Sequence, residues 1–168
     1  MINKILLPID GSETCQKSYD YAKEYALKFD SKVTVVYVEE GYSDLFKRGS
    51  KFYDIDQVVA EYLGPDTDAK DLRENQKDEI LDDLIQKILD NAKDFFEKDN
   101  VAVETVVLKG KPADKIIDYS VENNFDMIII CTHGMSRLKR FTLGSTTNKV
   151  VHHSKVPVLV IRWNGLGH

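Results

Sequence analysis

The sequence predicts an α/β fold: a doubly wound, five-stranded parallel sheet with helices on both faces. Three observations predict it. Strand-like and helix-like segments alternate along the chain. The strand-like runs are continuously apolar rather than alternating, as in strands covered on both faces. And 168 residues suit one domain, long enough to bury about 70% of the unfolded surface in a single core. No internal repeat, low-complexity tract or linker divides the chain.

Residues 4–9 form a short apolar run holding Pro8 and closed by Asp10-Gly11-Ser12, a buried strand and a turn. Ser12 is a natural N-cap, since its hydroxyl accepts an orphan N–H of the first helical turn. Cys15, Tyr19, Ala22, Ala26 and Phe29 then recur at steps of four and three, one face of a helix. Residues 33–38 are β-branched and aromatic, a second strand. A charged stretch follows from Glu39 to Lys77. Within it Ile55, Val58, Val59, Tyr62 and Leu63 repeat at helical spacing before Gly64-Pro65, a common helix stop.

Residues 78–97 carry the clearest helix, with Ile80, Leu81, Leu84, Ile85, Ile88, Leu89, Ala92, Phe95 and Phe96 on one broad face. Residues 101–108 read as a third strand. Gly110-Lys111-Pro112-Ala113 is a turn with Pro112 placed for the first turn of a short helix. Residues 127–130 are a fourth, fully buried strand, 131–144 a polar loop, 145–153 a last helix, and 156–161 a fifth strand. One domain over 1–162 is expected, with an extended loop and short helix at 41–76 and a tail at 163–168.

Composition narrows the function. The chain is 42% hydrophobic, too much for a disordered chain. Its 28 acidic residues outnumber 23 basic ones for a net charge of -5, against the basic surface of a nucleic-acid-binding domain. Apolar runs fall far short of the roughly 20 residues that span a bilayer, and the opening run is too short for a signal peptide. Two cysteines, Cys15 and Cys131, are too few for a disulfide framework, and nothing in their spacing pairs them. Cys15 belongs to the core face of its helix. A soluble, reduced, cytoplasmic protein is expected.

Open α/β sheets bind ligands beyond the carboxyl ends of their strands, where the strand order reverses. Two strand exits carry unusual residues: Pro8-Ile9-Asp10-Gly11-Ser12 after the first strand, and Cys131-Thr132-His133-Gly134 after the fourth. Gly134 lets backbone approach a ligand closely. Gly144-Ser145-Thr146 opens a helix, whose free N–H groups and dipole favour an anion. The hydroxyls of Ser145, Thr146 and Thr147 add donors, and Arg137, Lys139 and Arg140 add positive charge. Taken alone, Gly-Ser at a helix start is an ordinary cap. The coincidence of glycines, helix start, hydroxyls and cations after one buried strand points instead to a polyphosphate cradle.

These residues resemble the universal stress protein family, whose nucleotide-binding branch carries G-x2-G-x9-G-[ST] after its fourth strand. Here Gly134 is followed by nine residues and Gly144-Ser145, while Cys131 stands at the first glycine position. Pro8-Ile9-Asp10-Gly11-Ser12 is similar to the family's opening Pro-x-Asp-Gly-Ser, and Tyr37-Val38 stands where the family has His-Val. Gly110-Lys111-Pro112-Ala113 resembles its Gly-x-Pro-Ala turn, and the last strand its Val-Pro-Val-Leu-Val. The resemblance covers nearly the whole chain and is weakest over 41–76.

The resemblance implies a Rossmann-like sheet of order 3-2-1-4-5 and an ATP site, with Mg²⁺ reached through the phosphates and no direct protein metal ligand. Pro8, Ile9, Asp10 and Val38 would hold the adenosine end, Val38 through its backbone. Cys131, Thr132, Gly134, Met135, Ser136 and Arg137 would line the ribose and inner phosphates, and Gly144, Ser145, Thr146 and Thr147 the outer ones. It also implies a homodimer paired through the last strand, from Val156 to Arg162, and a nucleotide-linked stress-response regulator with an unidentified protein partner. A slow ATPase or autophosphorylating protein, and a nucleotide-free dimer acting through protein contacts, remain as alternatives. An FMN-binding flavodoxin-like domain is disfavoured by the glycine and hydroxyl spacing.

Other signals are weaker. Asp66-Thr67-Asp68-Ala69-Lys70-Asp71 lacks the turn glycine and closing Glu of a calcium loop. Cys131 and His133 have no third ligand nearby in sequence. The adjacent His152 and His153 point about 100° apart on a helix and cannot share a metal. No Walker lysine and no Gly-x-Gly-x-x-Gly follows the first strand, which disfavours dinucleotide oxidoreduction. Asp10 has no second carboxylate fixed near it.

Overall fold

A computed structural model describes residues 1–40, 64, 72–132 and 143–162. The order of elements is β1 (Lys4–Ile9), α1 (Glu13–Phe29), β2 (Lys32–Glu39), α2 (Glu74–Glu97), β3 (Val103–Lys109), α3 (Pro112–Glu122), β4 (Met127–Cys131), α4 (Ser145–His153) and β5 (Val158–Ile161). The five strands form one parallel sheet in the order β3-β2-β1-β4-β5, as expected. The periodic run at 55–63, most of the 41–76 segment and the tail lie outside the described residues.

The period-2 alternation of the strands divides the core into two layers. Ile5, Leu7 and Ile9 of β1, with Val33, Val35 and Tyr37 of β2 and Ile129 of β4, face α1 and α2, where Ala22, Ala26, Leu81, Ile85, Leu89 and Phe96 meet them. Leu6, Val36, Ile128 and Ile130 face the other way, against Ala113, Ile116 and Val150 of α3 and α4. Continuous apolar runs follow in the central strands, whose side chains have a helix above or below them, whereas the edge strand β3 is only partly buried, with Val107 40% exposed.

Several boundaries differ from expectation for identifiable reasons. The long helix starts at Glu74 rather than near 78, because the Gln76 side chain accepts the Arg73 backbone N–H at 3.1 Å and fixes an earlier first turn. Helix α1 ends at Asp30, in the left-handed region (φ 56°), and Ser31 N–H closes back on the Ala26 carbonyl at 3.0 Å. Pro112 begins α3. Strand β5 begins at Val158, two residues late, although the Pro157 carbonyl already accepts the Ile128 N–H at 2.8 Å.

Candidate functional site

The switch point lies between β2-β1 and β4-β5, where the chain reverses its direction of travel across the sheet. The hydrogen bonding between the central strands is incomplete there. β1 pairs with β2 along its whole length, from Lys4↔Lys32 to Ile9↔Tyr37. Against β4 it pairs only at Ile5↔Met127 and Leu6↔Ile128. The reason is Pro8. Asp126 N–H donates to the Lys4 carbonyl and Lys32 N–H to that of Asn3, so even residues of β1 address β4 and odd ones address β2. Pro8 is even, and it has no N–H to give. The hydrogen-bonded ladder therefore stops short of the carboxyl ends of β1 and β4.

One wall of this crevice is the β1 turn. Gly11 takes φ 79°, a conformation that glycine adopts without a Cβ penalty. The turn folds the Asp10 carboxylate back over its own chain. Oδ1 accepts the Ser12 backbone N–H at 3.0 Å and the Ser12 hydroxyl at 2.7 Å. Ser12 is the N-cap residue by position, but its hydroxyl donates to Asp10 and caps nothing, contrary to the sequence expectation. The carboxylate is a strong acceptor for the hydroxyl proton, and no helix N–H reaches the Ser12 oxygen. On β2, the backbone of Val38 is directed toward β1, since Lys32 of the same parity donates to Asn3. The register ends at Ile9↔Tyr37, so the Val38 carbonyl extends past the paired end of β1.

The other wall is the β4 exit. Thr132 is buried; its N–H donates to the Ile161 carbonyl at 2.9 Å, and its carbonyl accepts the Gly144 N–H at 2.7 Å. This last bond brings the two ends of the 133–143 loop together. The buried Thr147 hydroxyl donates to the Cys131 carbonyl at 2.7 Å. The start of α4 is thereby fastened to the end of β4 by two hydrogen bonds. Ser145, Thr146 and Thr147 supply the first helical N–H groups, the orphan donors of a helix start. Ser145 is exposed and Thr146 half-buried. Gly144 has φ -58° and ψ 153°, ordinary for any residue, so space rather than backbone freedom is what its missing side chain provides. Gly134, Met135, Ser136 and Arg137, with His133, Lys139 and Arg140, lie outside the described residues.

Cys15 and Cys131 are a relationship that sequence reasoning missed. They are bonded as a disulfide, 116 residues apart in sequence, with Cα atoms 5.5 Å apart. Cys131 shares the parity of Ile129, whose side chain meets the α1 layer, and Cys15 lies in the first turns of α1. Parity together with the position of α1 was the signal for the pair. Spacing alone carried none. Cys131 is the last residue of β4 and has no positive φ, so cysteine at the family's glycine position imposes no left-handed backbone here.

Charge around the strand exits is balanced locally. Lys109 Nζ lies 3.2 Å from Glu39 Oε2, and that carboxylate raises the lysine above its ordinary pKa. Lys149 of α4 pairs with Asp114 of α3, which holds the aspartate below its usual range. His152 and His153 are exposed at the end of α4. A separate groove of 310 Å³ runs between α1 and α2, lined by Gly11, Ser12, Gln16, Tyr19, Asp20, Ile88, Asn91 and Phe95. It adjoins the β1 turn and the start of α1, but its lining carries the Asp20 carboxylate and no cation, which does not suit a phosphate.

The model of the universal stress protein family matches residues 1–162. Universal stress protein YxiE of Bacillus subtilis is 31% identical over 162 residues, covering 96% of this chain and all of its own. The structure of MJ0577 from Methanocaldococcus jannaschii superposes with a TM-score of 0.74 at 25% identity, covering 99% of each chain. The universal stress protein of Archaeoglobus fulgidus, solved in complex with dAMP, shares the fold with a TM-score of 0.60 at 22% identity, over 96% of this chain and 99% of that one.

Proposed function

This chain belongs to the universal stress protein family, and on that premise we propose that it binds ATP in the crevice between β1 and β4 as a nucleotide-linked regulator. One observation carries the reading. Pro8 ends the β1–β4 ladder early, and the N–H groups of a helix start are fastened beside the end of β4 by the Thr147 and Gly144 hydrogen bonds. The dAMP complex of the Archaeoglobus relative supports an adenine nucleotide as the ligand class.

In this reading Pro8, Ile9 and Asp10 bound the adenosine end, and the Val38 carbonyl accepts from adenine. Cys131 and Thr132 border the ribose, with Gly134, Met135, Ser136 and Arg137 continuing toward the phosphates. Gly144 gives room, Ser145 and Thr146 donate to the outer phosphates, and Thr147 acts as a positioning residue through Cys131. Magnesium ordinarily keeps several waters and binds through phosphates and one or two carboxylates. The only carboxylate in the described walls, Asp10, is engaged by Ser12, which fits an ion arriving on the phosphates.

The test is direct. Denaturing the purified protein should release an adenine nucleotide on chromatography, and Mg-ATP at millimolar concentration should raise Tm. Neither effect appearing would sink the proposal. Phosphate release with clear turnover would instead favour the slow ATPase.

We further propose a cytoplasmic homodimer that pairs through β5, an edge strand of the sheet. No helix among the described residues is long and apolar enough to cross a membrane. An apolar edge strand invites pairing. Ile161 and Pro157 carbonyls address β4, so even residues of β5 address the outer side. Val160→Pro should therefore remove an outward N–H and shift the mass by light scattering from dimer to monomer. Leu159 packs against the α1–α2 layer, so a charge there would disturb the core first. A monomeric wild type at micromolar concentration would overturn the dimer.

A further inference from the structure

We propose that Cys15 and Cys131 are a reversible thiol–disulfide pair that sets the affinity of the adjacent nucleotide site; the proposal rests on the ATP reading above and adds its regulation.

The pair joins the two walls of the crevice. Their Cα separation of 5.5 Å lies within the range that a disulfide spans without backbone movement. Both residues are buried, at 1% and 5% exposure, so the bond is an internal tie rather than a surface cross-link. Each cysteine is one contact away from an assigned ligand-holding group. The Cys131 carbonyl receives the Thr147 hydroxyl, which fixes the start of α4. Cys15 Sγ lies 3.1 Å from Asp10 Oδ1.

The two redox states therefore present different sites. In the disulfide, the start of α1 and the end of β4 are covalently joined, the Cys131 side chain is held against α1, and no sulfur carries a proton. In the dithiol the tie between the walls is gone. The Cys15 S–H becomes a donor to Asp10 Oδ1, which already accepts from Ser12 N–H and Oγ–H. Each change acts against ATP, so the disulfide is the tighter-binding state.

The step balances with a low-molecular-weight disulfide such as glutathione disulfide. One protein thiolate attacks it and releases one small thiol. The second protein thiol then displaces the other. The protein loses two electrons and two protons, which appear in two small thiols. In a reducing compartment such a bond is ordinarily transient and redox-sensing rather than structural.

The full-length protein is equilibrated in glutathione buffers of graded ratio, and the Cys15–Cys131 linkage is quantified by non-reducing peptide mapping. Mg-ATP is titrated calorimetrically into fully oxidised and fully reduced wild type. We expect oxidised protein to bind at least fivefold tighter. Cys15→Ala should bind like reduced wild type at every glutathione ratio. By linkage, a tenfold affinity difference means that saturating ATP lowers the pair's reduction potential by about 30 mV. Failure to form the linkage at any ratio, or equal ATP affinity in both mapped states, overturns the switch alone. No ATP binding to either state, with the linkage mapped, overturns the nucleotide reading and the switch with it. The wild-type comparison needs no substitution, so a variant that fails to fold leaves the outcome decided.

Discussion

The amino and carboxyl ends of the same two central strands are built in opposite ways. At the amino ends, β1 and β4 are closed together. The Asp126 carboxylate accepts the N–H groups of Asn3 and Lys4 at 2.8 and 2.9 Å, and Asp126 N–H returns to the Lys4 carbonyl at 3.0 Å. On the β2 side, the Ser31 hydroxyl adds a bond to the Ile2 carbonyl at 2.6 Å. At the carboxyl ends the β1–β4 ladder stops short, and among the described residues each exit is held within its own side, Asp10 with Ser12 on one and the Cys131 carbonyl with Thr147 on the other, while the Cys15–Cys131 disulfide crosses from α1 to β4. A parallel sheet can thus be sealed at one end and open at the other by two local choices. A carboxylate supplies acceptors where strands begin, and a proline withholds a donor where they end.

The largest expected effect falls at the open end. Gly144→Val should weaken Mg-ATP binding at least tenfold, about 1.4 kcal/mol, with little change in Tm, because the Gly144 backbone suits any residue. Calorimetric titration checks it, and an unchanged affinity removes Gly144 from the site.

Thr147→Val should affect both quantities. It leaves the Cys131 carbonyl without its buried hydroxyl donor and should cost about 1–3 kcal/mol in urea unfolding. ATP should bind several-fold more weakly, since the helix start loses one of its two ties to β4. A stability loss with unaltered affinity would mean that Thr147 supports the fold alone.

Asp126→Ala, at the closed end, should be smaller and one-sided. The group is near the surface, so about 1 kcal/mol or less is expected after solvent screening, with ATP affinity unchanged. Its pH signature is specific. Two backbone N–H donors hold the Asp126 carboxyl below its ordinary value. A depressed carboxyl contributes stability that is intact above the unfolded pKa and is lost as pH falls through the folded one. Wild-type Tm should therefore drop in acid, and Asp126→Ala should drop less steeply. Glu104, held low by Lys32 and Thr34, follows the same sign and accounts for part of the remaining slope. Equal slopes in wild type and variant would break the assignment.

What could be read in the sequence follows from how local each feature is. Strand and helix identities were legible because the central strands are buried on both faces and every long helix on one, which leaves a periodic trace in the residues themselves. The glycine-hydroxyl start of α4 and the Pro8-Ile9-Asp10 exit were legible as chemistry. The Ser12 hydroxyl was misread, because its partner depends on how the Gly11 turn folds Asp10 back. The first turn of α2 was misplaced because the Gln76 side chain reaches the Arg73 backbone.

The sequence by itself determined the parallel sheet, its two apolar layers and the two exits of the proposed site, because hydrophobic period and turn chemistry act over a few residues. Only the tertiary structure decided that Pro8 withholds its donor on the β4 side and that Asp126 seals the opposite end. Only it joined Cys15 to Cys131 across 116 residues. Those relations depend on which side of a strand faces which neighbour, and that side is fixed only when the strands have been laid in order.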